Sequence, residues 1–342
     1  MTNPLPPSEL ENDQWMVASV DAPASIVIRA WLEDLSIGRA SFVASQIEEF
    51  NRSSHHRVLW TRAAHPEISV MALAAWAVPT GTKESPTAHL LHVGWVKTKT
   101  DQVGELNKQT RGAALAVGEF ADRVLGSIAS ELQWVGEESP TPFAAELHKA
   151  MNLRRLAVLD YLQVELDRKT DASMDQDSPD LALASHPPNP ANHDWWDQAL
   201  EKSYEHSSDC PDLSQLRKPE EIRLGYQSSP AYEKNRWYKV VMPDSKETIG
   251  VAILASAGDE GSELVYMALF PEHRKKGLGV GLMRAIVDEV IEATSSQKTR
   301  LILAVDRCND AARKLYNAFK LKPVWNEAFH LKRFDDFSTR SR

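Results

Sequence analysis

The stretch that decides the fold is PEHRKKGLGVGLM, residues 271–283. Three glycines stand at alternate positions, Gly277, Gly279 and Gly281, directly after a basic triplet. An apolar run typical of a strand precedes the stretch, and apolar residues at helical spacing follow it. Because the first amides of a helix lack internal partners and the helix dipole adds positive charge there, this turn is suited to an anion. Phosphate is the expected ligand.

The glycines would let the backbone approach such an anion closely, and the triplet Arg274, Lys275 and Lys276 would add mobile positive charge. The spacing is neither the GxxxxGK[ST] of nucleotide P-loops nor the GxGxxG of dinucleotide sites. What remains is R-x-x-G-x-G over residues 274–279.

The chain around this turn has the pattern of a mixed α and β domain. Helices are predicted at 193–207, 219–229, 281–296 and 309–319, and strands at 235–243, 247–257, 261–271, 299–307 and 323–334. In the strand before the turn, Val265, Met267 and Leu269 are expected to face one way, and Tyr266, Ala268 and Phe270 the other.

The first half of the chain repeats this order more weakly. A helix-like pair is predicted at 22–51, further helices at 113–132 and 141–151, and strands at 56–63, 68–78, 88–96 and 157–166. LHKAMNLR (147–154) aligns with LYNAFKLK (315–322), which puts His148 on Tyr316 and suggests an internal duplication. Between the halves, 169–192 is rich in Pro, Ser and Asp and is predicted to be a linker.

The stretch MALFPEHRKKGLG, together with LILAVDRCNDAARKLYNAF further on, resembles the coenzyme A loop and its surroundings in the Gcn5-related N-acetyltransferases, the GNAT superfamily. The match in order and spacing extends over 235–334. It implies a mixed α/β (α+β) fold of two tandem GNAT-like domains, each a mostly antiparallel central sheet flanked by helices. The predicted division is 1–168 for a degenerate domain, 169–192 for the linker and 193–342 for the acetyltransferase domain.

The first half departs from the family pattern. Its segment 97–112, KTKTDQVGELNKQTRG, lacks R-x-x-G-x-G, and His148 stands where the family has a tyrosine. The resemblance therefore implies a degenerate copy without a cofactor site, which supports the second domain or shapes its acceptor cleft.

The resemblance also implies roles for individual residues. The main chain of Met267, Ala268 and Leu269 would contact the pantetheine arm of acetyl-CoA. The pyrophosphate would lie against Arg274, Lys275, Lys276, Gly277, Leu278, Gly279, Val280 and Gly281. Asn309 would contact the cofactor, cap its helix, or do both.

Tyr316 is the predicted general acid, because a phenol with a pKa of ~10 keeps its proton at neutral pH. The alternative is a tyrosine that only packs its helix. Glu263 is a candidate general base, with a solvated strand-end carboxylate or a chain of waters as alternatives.

Bulk properties exclude several classes of protein. The 342 residues carry 39 Lys+Arg and 48 Asp+Glu, a formal charge of -9, which argues against nucleic-acid binding. Two cysteines make no disulfide framework, the N-terminus has no signal-peptide pattern, and the longest apolar run, 70–78, is too short to span a membrane. His55, His56 and His65 lack further ligands at metal-binding spacing, so no metal is expected. A cytoplasmic protein is predicted.

The predicted function is transfer of an acetyl group from acetyl-CoA, as co-substrate, directly to a primary amine of a small molecule or a protein. Two alternatives stay open: a non-catalytic acyl-CoA-binding or regulatory module, and an enzyme that transfers another acyl group. Acceptor choice would depend on 193–230 and 323–334, which carry no motif that identifies the acceptor.

Overall fold

The structure is a computed structural model, and it describes residues 16–20, 37–64, 70–80, 87–97, 103–136, 138, 142–168, 179–214, 217–229, 231–257 and 261–334. The chain forms two compact units. We call the N-terminal unit the described residues up to Leu156 together with those from Ala328 onward, and the C-terminal unit Ala157–Glu327. The predictions for the N-terminus up to residue 15, for 21–36 and for 169–178 lie outside the described residues.

The N-terminal unit packs helices on a mainly antiparallel sheet. Its elements are β1 (Met16–Val20), α1 (Ile37–Arg52), β2 (His56–Ala64), β3 (Val70–Pro79), β4 (Thr87–Lys97), α2 (Val103–Phe120), β5 (Glu131–Gly136) and α3 (Pro142–Ala150). Helix α2 continues through a π-helical turn, Ala121–Leu125, into Gly126–Ile128. The strands follow the order β1-β2-β3-β4-β5, in which only β4 and β5 run parallel.

The C-terminal unit has the same kind of architecture. Its elements are β6 (Arg154–Asp167), β7 (Ala182–Ser185), α4 (His193–Tyr204), α5 (Pro219–Ser228), β8 (Trp237–Val241), β9 (Thr248–Ser256), β10 (Gly261–Leu269), α6 (Leu278–Glu292), β11 (Lys298–Asp306), α7 (Asp310–Ala318) and β12 (Lys322–Arg333). The order is β6-β11-β10-β9-β8-β7, and only β10 and β11 run parallel. The predicted class, mixed α and β with a largely antiparallel sheet, is confirmed.

The two halves of the chain end their last helices in the same way. Just after α3, Asn152 adopts a left-handed conformation with φ 51°, and just after α7, Lys320 does so with φ 62°. The next amide in each case donates a hydrogen bond to the carbonyl of the aligned helix position, His148 in one half and Tyr316 in the other. This shared helix ending supports the duplication inferred from eight aligned residues.

The central strands repeat as well. In β10 one extra residue, Val265, bulges from the pairing with β9, and in β4 Leu91 does the same against β3. The bulge breaks the expected alternation, because Val265 packs in the apolar cluster of Tyr266 while Met267 and Leu269 pack in the other. The prediction that Val265 shares a face with Met267 was therefore wrong.

Two strands join a different unit from the one to which the predicted division assigns them. Strand β6 follows α3 in sequence but pairs with β11 of the C-terminal unit, from Leu159 to Asp167. The end of β12 returns to the N-terminal unit, where Ala328–Arg333 pair with β5. In addition, the predicted linker contains β7, which pairs with β8. The grouping in space thus differs from 1–168 and 193–342.

Two local predictions in the first half were wrong. The helix predicted at 113–132 starts earlier, at Val103, so most of the predicted loop 97–112 is helical. The strand β5 was missed, because its six residues follow directly on an apolar helical pattern. Its alternating burial is the period of a strand, and its parallel pairing with β4 makes it the counterpart of β11.

Position 281 requires a glycine because another backbone segment lies very close to it. A Cβ atom at this position would lie 2.1 Å from the carbonyl oxygen of Pro179, in the segment that leads to β7. We expect Gly281→Ala to lower the free energy of unfolding by about 1–3 kcal/mol, because the backbone must shift to accept the methyl group. Urea unfolding measures this change.

The matched control is Gly225→Ala on α5, where a Cβ would meet nothing within 4 Å. Alanine is the better helix former, so this variant should unfold at equal or higher urea concentration, by up to about 1 kcal/mol. Equal effects of the two substitutions would contradict the packing role of Gly281.

Candidate functional site

A cleft of about 500 Å³ opens in the C-terminal unit beside strand β10. The parallel ladder between β10 and β11 runs from Gly261 to Leu264 and ends at the bulge, although both strands continue. The cleft lies along the remaining part of β10, Leu264–Leu269, and is bounded by the start of α6, by α7 and by the segment His206–Asp209.

The glycine turn forms one end of this cleft. Gly277 is the N-cap of α6 and has φ 78°, a conformation that favours glycine. A Cβ on Gly277 would meet nothing within 4 Å, and one on Gly279 would only touch Leu315 at 3.5 Å. The helix start therefore keeps open space beside its free amides, and Lys275 lines the same region. This arrangement fits a phosphate group.

The side chain of Arg274 is committed to the fold. Its Nε donates to the Leu269 carbonyl at 2.8 Å, Nη1 to the Glu205 carbonyl at 2.5 Å and Nη2 to the Ser203 carbonyl at 2.7 Å. The guanidinium ties the glycine turn to the end of β10 and to the end of α4. The mobile charge expected at this position is instead a fixed clamp, and Lys275 and Lys276 remain as exposed cations.

Tyr316 lines the cleft from α7, with 7% of its surface exposed. Its hydroxyl has no hydrogen-bond partner within the described part of the chain, whereas the Tyr266 hydroxyl in the same cleft lies 2.8 Å from Ser203 Oγ. Burial raises the pKa of Tyr316, and the negative charge of Asp209 raises it further. Tyr316 is thus a protonated phenol whose hydroxyl is not bound by any of the described residues.

Asn309 has the capping role predicted for it and also lines the cleft. Its Oδ1 accepts a hydrogen bond from the amide of Ala312 at 3.2 Å, which satisfies one of the open amides of α7. This cap fixes the start of the helix that carries Tyr316.

The cleft brings together most of the predicted site residues. It is lined by Met267, Ala268, Leu269, Arg274, Lys275, Gly277, Gly279, Val280, Asn309 and Tyr316. Four others lie outside its lining: Glu263, Lys276, Leu278 and Gly281. Leu278 and Gly281 are buried in the packing of α6, and Glu263 lies in the β10 ladder between Ala255 and Ile302.

The segment His206–Asp209 after α4 was not predicted to be part of the site. His206 with φ 53° and Cys210 with φ 43° bracket it, and Asp209 lines the cleft. The stretch EHSSDCPD carries no sequence motif for a site. Its carboxylate comes close to the residues of the cleft only in the folded chain.

The N-terminal unit has an aromatic cluster at the position that matches Tyr316. The ring of His148 lies 3.8 Å from that of Trp134 and 4.2 Å from that of His330. Among the described residues, His148 Nε2 and His330 Nδ1 are buried without a hydrogen-bond partner. Burial lowers the pKa of His148 to about 3, with a smaller contribution from the charge of His330.

This neutral histidine makes stability depend on pH. Between its ordinary pKa of 6.5 and the lowered value, the unfolded chain binds a proton that the folded unit does not bind. Stability is therefore complete above about pH 6.5 and falls as the pH drops toward 3. We expect the wild type to lose about 1 kcal/mol more than His148→Phe between pH 7 and 5, allowing for solvent screening.

Urea unfolding at the two pH values measures the difference. His55→Gln, at an exposed position before β2, should follow the wild type. An unchanged pH dependence in His148→Phe would rule out this assignment.

No three His, Cys, Asp or Glu side chains in the described ranges lie close enough together to hold a metal ion, and His65 lies outside those ranges. None of the helices that the structure describes has the length and apolar character to cross a lipid bilayer.

Comparisons with known proteins concern the sequence of the C-terminal part and the fold of the chain. Residues 200–320 match the family model "Acetyltransferase (GNAT) family". A solved tandem GNAT protein from the clavulanic acid biosynthesis pathway is 15% identical, with a TM-score of 0.50, and the match covers 94% of this chain and 98% of that one.

A second solved structure is a GCN5-related glucosamine N-acetyltransferase region in a fungal multi-domain GH3 β-N-acetylglucosaminidase. It is 12% identical with a TM-score of 0.51, over 92% of this chain and 38% of that one. No curated protein matches the sequence. The predicted tandem GNAT fold is confirmed. Segment 200–320 is thus similar in sequence to the acetyltransferase (GNAT) family, and acyl transfer is the general activity that this family indicates.

Proposed function

We propose that this protein is an acetyl-CoA-dependent N-acetyltransferase that moves the acetyl group directly to a primary amine. One observation carries the proposal: a single cleft has an open glycine turn at a helix start and a tyrosine hydroxyl that no described residue binds. The first feature suits a diphosphate, and the second suits a leaving thiolate that needs a proton.

The residues that would hold the co-substrate follow from the cleft lining. The amides at the start of α6, from Gly277 to Gly279, and the charge of Lys275 would bind the pyrophosphate. The main chain of Met267–Leu269 would bind the pantetheine arm, where β10 has left its ladder with β11. When bound, the thioester supplies the acetyl group and a thiolate as leaving group.

Tyr316 holds the proton that the leaving thiolate needs. Its raised pKa keeps the phenol protonated throughout the physiological range, so the donor is always loaded. Asn309 keeps it in position by capping α7, and Arg274 keeps the glycine turn against β10 and α4. The acceptor would be a small-molecule or protein amine, and the protein would work in the cytoplasm.

The test begins with calorimetric titration of acetyl-CoA, followed by an assay of CoA release with n-butylamine, tyramine, glucosamine, lysine and a lysine-containing peptide. Heat on titration and CoA release with at least one amine are expected. Absence of heat would overturn the proposal, and binding without turnover would favour the acyl-CoA-binding module instead.

A matched pair of variants localises the binding. Gly279→Ala adds a methyl group beside the helix start without a clash in the protein, and we expect it to weaken acetyl-CoA binding about tenfold. Gly225→Ala makes the same change on α5, away from the cleft, and should bind like the wild type. Equal binding by both variants would contradict the role of the turn.

A further inference from the structure

The proposed reaction needs a group that takes the proton of the amine, and the predicted candidate, Glu263, does not line the cleft. The carboxylate that does line it is Asp209, on the segment after α4. We propose that Asp209 binds the acceptor as an ammonium ion and takes its proton. This inference rests on the proposed function and names the residue for its missing step.

The position of Asp209 is fixed from two elements. Its Oδ1 accepts the amide of Asp306 at 3.3 Å, at the end of β11, and the side chain of Asn309 also donates to its carboxylate. Its own amide donates to Ser207 Oγ at 3.1 Å. Asp209 is nevertheless only half-buried, and the cleft is its route to a ligand.

The neighbouring carboxylate, that of Asp306, is instead occupied by hydrogen bonds from the backbone. Both oxygens of Asp306 accept backbone amides, Oδ2 that of Cys210 at 3.2 Å and Oδ1 that of Cys308 at 2.9 Å, and the residue is 4% exposed. Asp306 therefore holds the loop, and Asp209 is the acidic side chain in the lining of the cleft.

The surroundings of Asp209 suit a cationic acceptor. The groups with which its charge interacts are Tyr204 on α4, Cys210 on its own loop, Tyr226 on α5, Tyr266 on β10, Asp306 on β11 and Tyr316 on α7. None of these is a cation. The cations that act on the same tyrosines are Arg217, on Tyr226, and Arg274, on Tyr266, and His206, Arg274 and Lys275 also line the cleft. An ammonium ion bound at Asp209 would add a positive partner directly at its carboxylate.

Asp209 and Tyr316 are electrostatically linked, which gives the proton transfer a direction. Burial raises the pKa of Asp209. The hydrogen bond from the Asp306 amide opposes this effect, and the charge of Asp306 reinforces it. The raised pKa makes Asp209 a better base than an exposed aspartate. Its negative charge in turn holds the pKa of Tyr316 up. Once Asp209 has taken a proton this charge is gone, and Tyr316 becomes a stronger acid.

The step balances in atoms and charge. The ammonium gives one proton to the Asp209 carboxylate, and the neutral nitrogen forms the C–N bond as the C–S bond of the thioester breaks. The thiolate takes the Tyr316 proton, the nitrogen returns its second proton to the Tyr316 phenolate, and the third stays on the amide. Asp209 then releases its proton to water.

The experiment compares Asp209→Asn, Asp209→Glu and Asp310→Asn with the most active amine of the panel. Asn keeps an oxygen that can accept the Asp306 amide, and Asp310 is an exposed residue at the start of α7 outside the cleft lining. We expect Asp209→Asn to lower kcat/KM about 100-fold at pH 7. The loss should shrink to below about tenfold at pH 9, because solution then supplies neutral amine. Asp209→Glu should restore part of the rate, and Asp310→Asn should equal the wild type.

A binding measurement that does not depend on catalysis accompanies the kinetic assay. The ¹³C signal of the Asp209 carboxyl group is titrated with and without n-butylammonium, and the ion should lower its pKa. An unchanged titration, or an Asp209→Asn variant with wild-type kcat/KM, would overturn the proposal for Asp209 while leaving the acetyltransferase function intact. A loss that is equal at all pH values and accompanied by weaker acetyl-CoA binding would reveal a structural role. A wild type that binds no acetyl-CoA would instead remove the proposed function itself.

Discussion

Tyr316→Phe is expected to lower kcat by about 10²–10⁴-fold, the usual contribution of a positioned general acid. The substitution removes one oxygen, and this oxygen makes no hydrogen bond to any described residue. Packing in the core around α7 should therefore be preserved. Acetyl-CoA affinity should stay within about twofold, because the turn that would bind the diphosphate is a separate part of the cleft. Pre-steady-state kinetics and calorimetry measure the two quantities separately.

The control for this variant is Tyr232→Phe. Tyr232 packs beside Trp237, with ring centroids 6.0 Å apart, and does not line the cleft. It should retain wild-type kcat. If Tyr316→Phe lost rate and affinity in equal measure, the tyrosine would be a packing residue and the role of general acid would be refuted.

Arg274→Ala should destabilise the C-terminal unit by about 2–5 kcal/mol, because three charge-assisted hydrogen bonds are lost and their carbonyls are left unpaired. Arg274→Lys should recover little of this, since an ammonium cannot serve three carbonyls spread over a guanidinium fork. Urea unfolding followed by tryptophan fluorescence reports the change through Trp196 and Trp237, both buried in this unit.

Lys276→Ala is the matched control for Arg274, since it removes an exposed cation two positions along the same turn. Its effect on stability should stay within about 0.5 kcal/mol. Were Arg274→Ala to weaken acetyl-CoA binding without changing the urea midpoint, the side chain would be a phosphate ligand after all, and the clamp would be disproved.

The glycine turn could be predicted from sequence because its function is local. A strand, Gly277 at the helix start and the first turn of α6 are neighbours along the chain, and their physics is that of any helix N-terminus. The cap by Asn309 and the helix that carries Tyr316 are local in the same sense. Arg274 was placed in the right region, but its three carbonyl acceptors could not be predicted, because they are set by tertiary structure.

Non-local features could not be predicted in this way. The contact of Asp209 with Asp306 joins positions 97 residues apart, and no pattern in the sequence links them. The pairings of β6 with β11 and of β12 with β5 depend on which strand meets which sheet, whereas alternation along a strand reveals only its faces. Strand β5 was missed because a six-residue strand after an apolar helix has little signal of its own.

The crossed strands also decide how the protein can be divided. A fragment cut within 169–192 and ending there would leave β5 without the partner that β12 provides, and the complementary fragment would leave β11 without β6. Each piece would then present a bare strand edge, which is a template for aggregation. Expression of either half alone should give insoluble material, whereas co-expression of both should restore a soluble pair, because each half then supplies the strand that the other lacks.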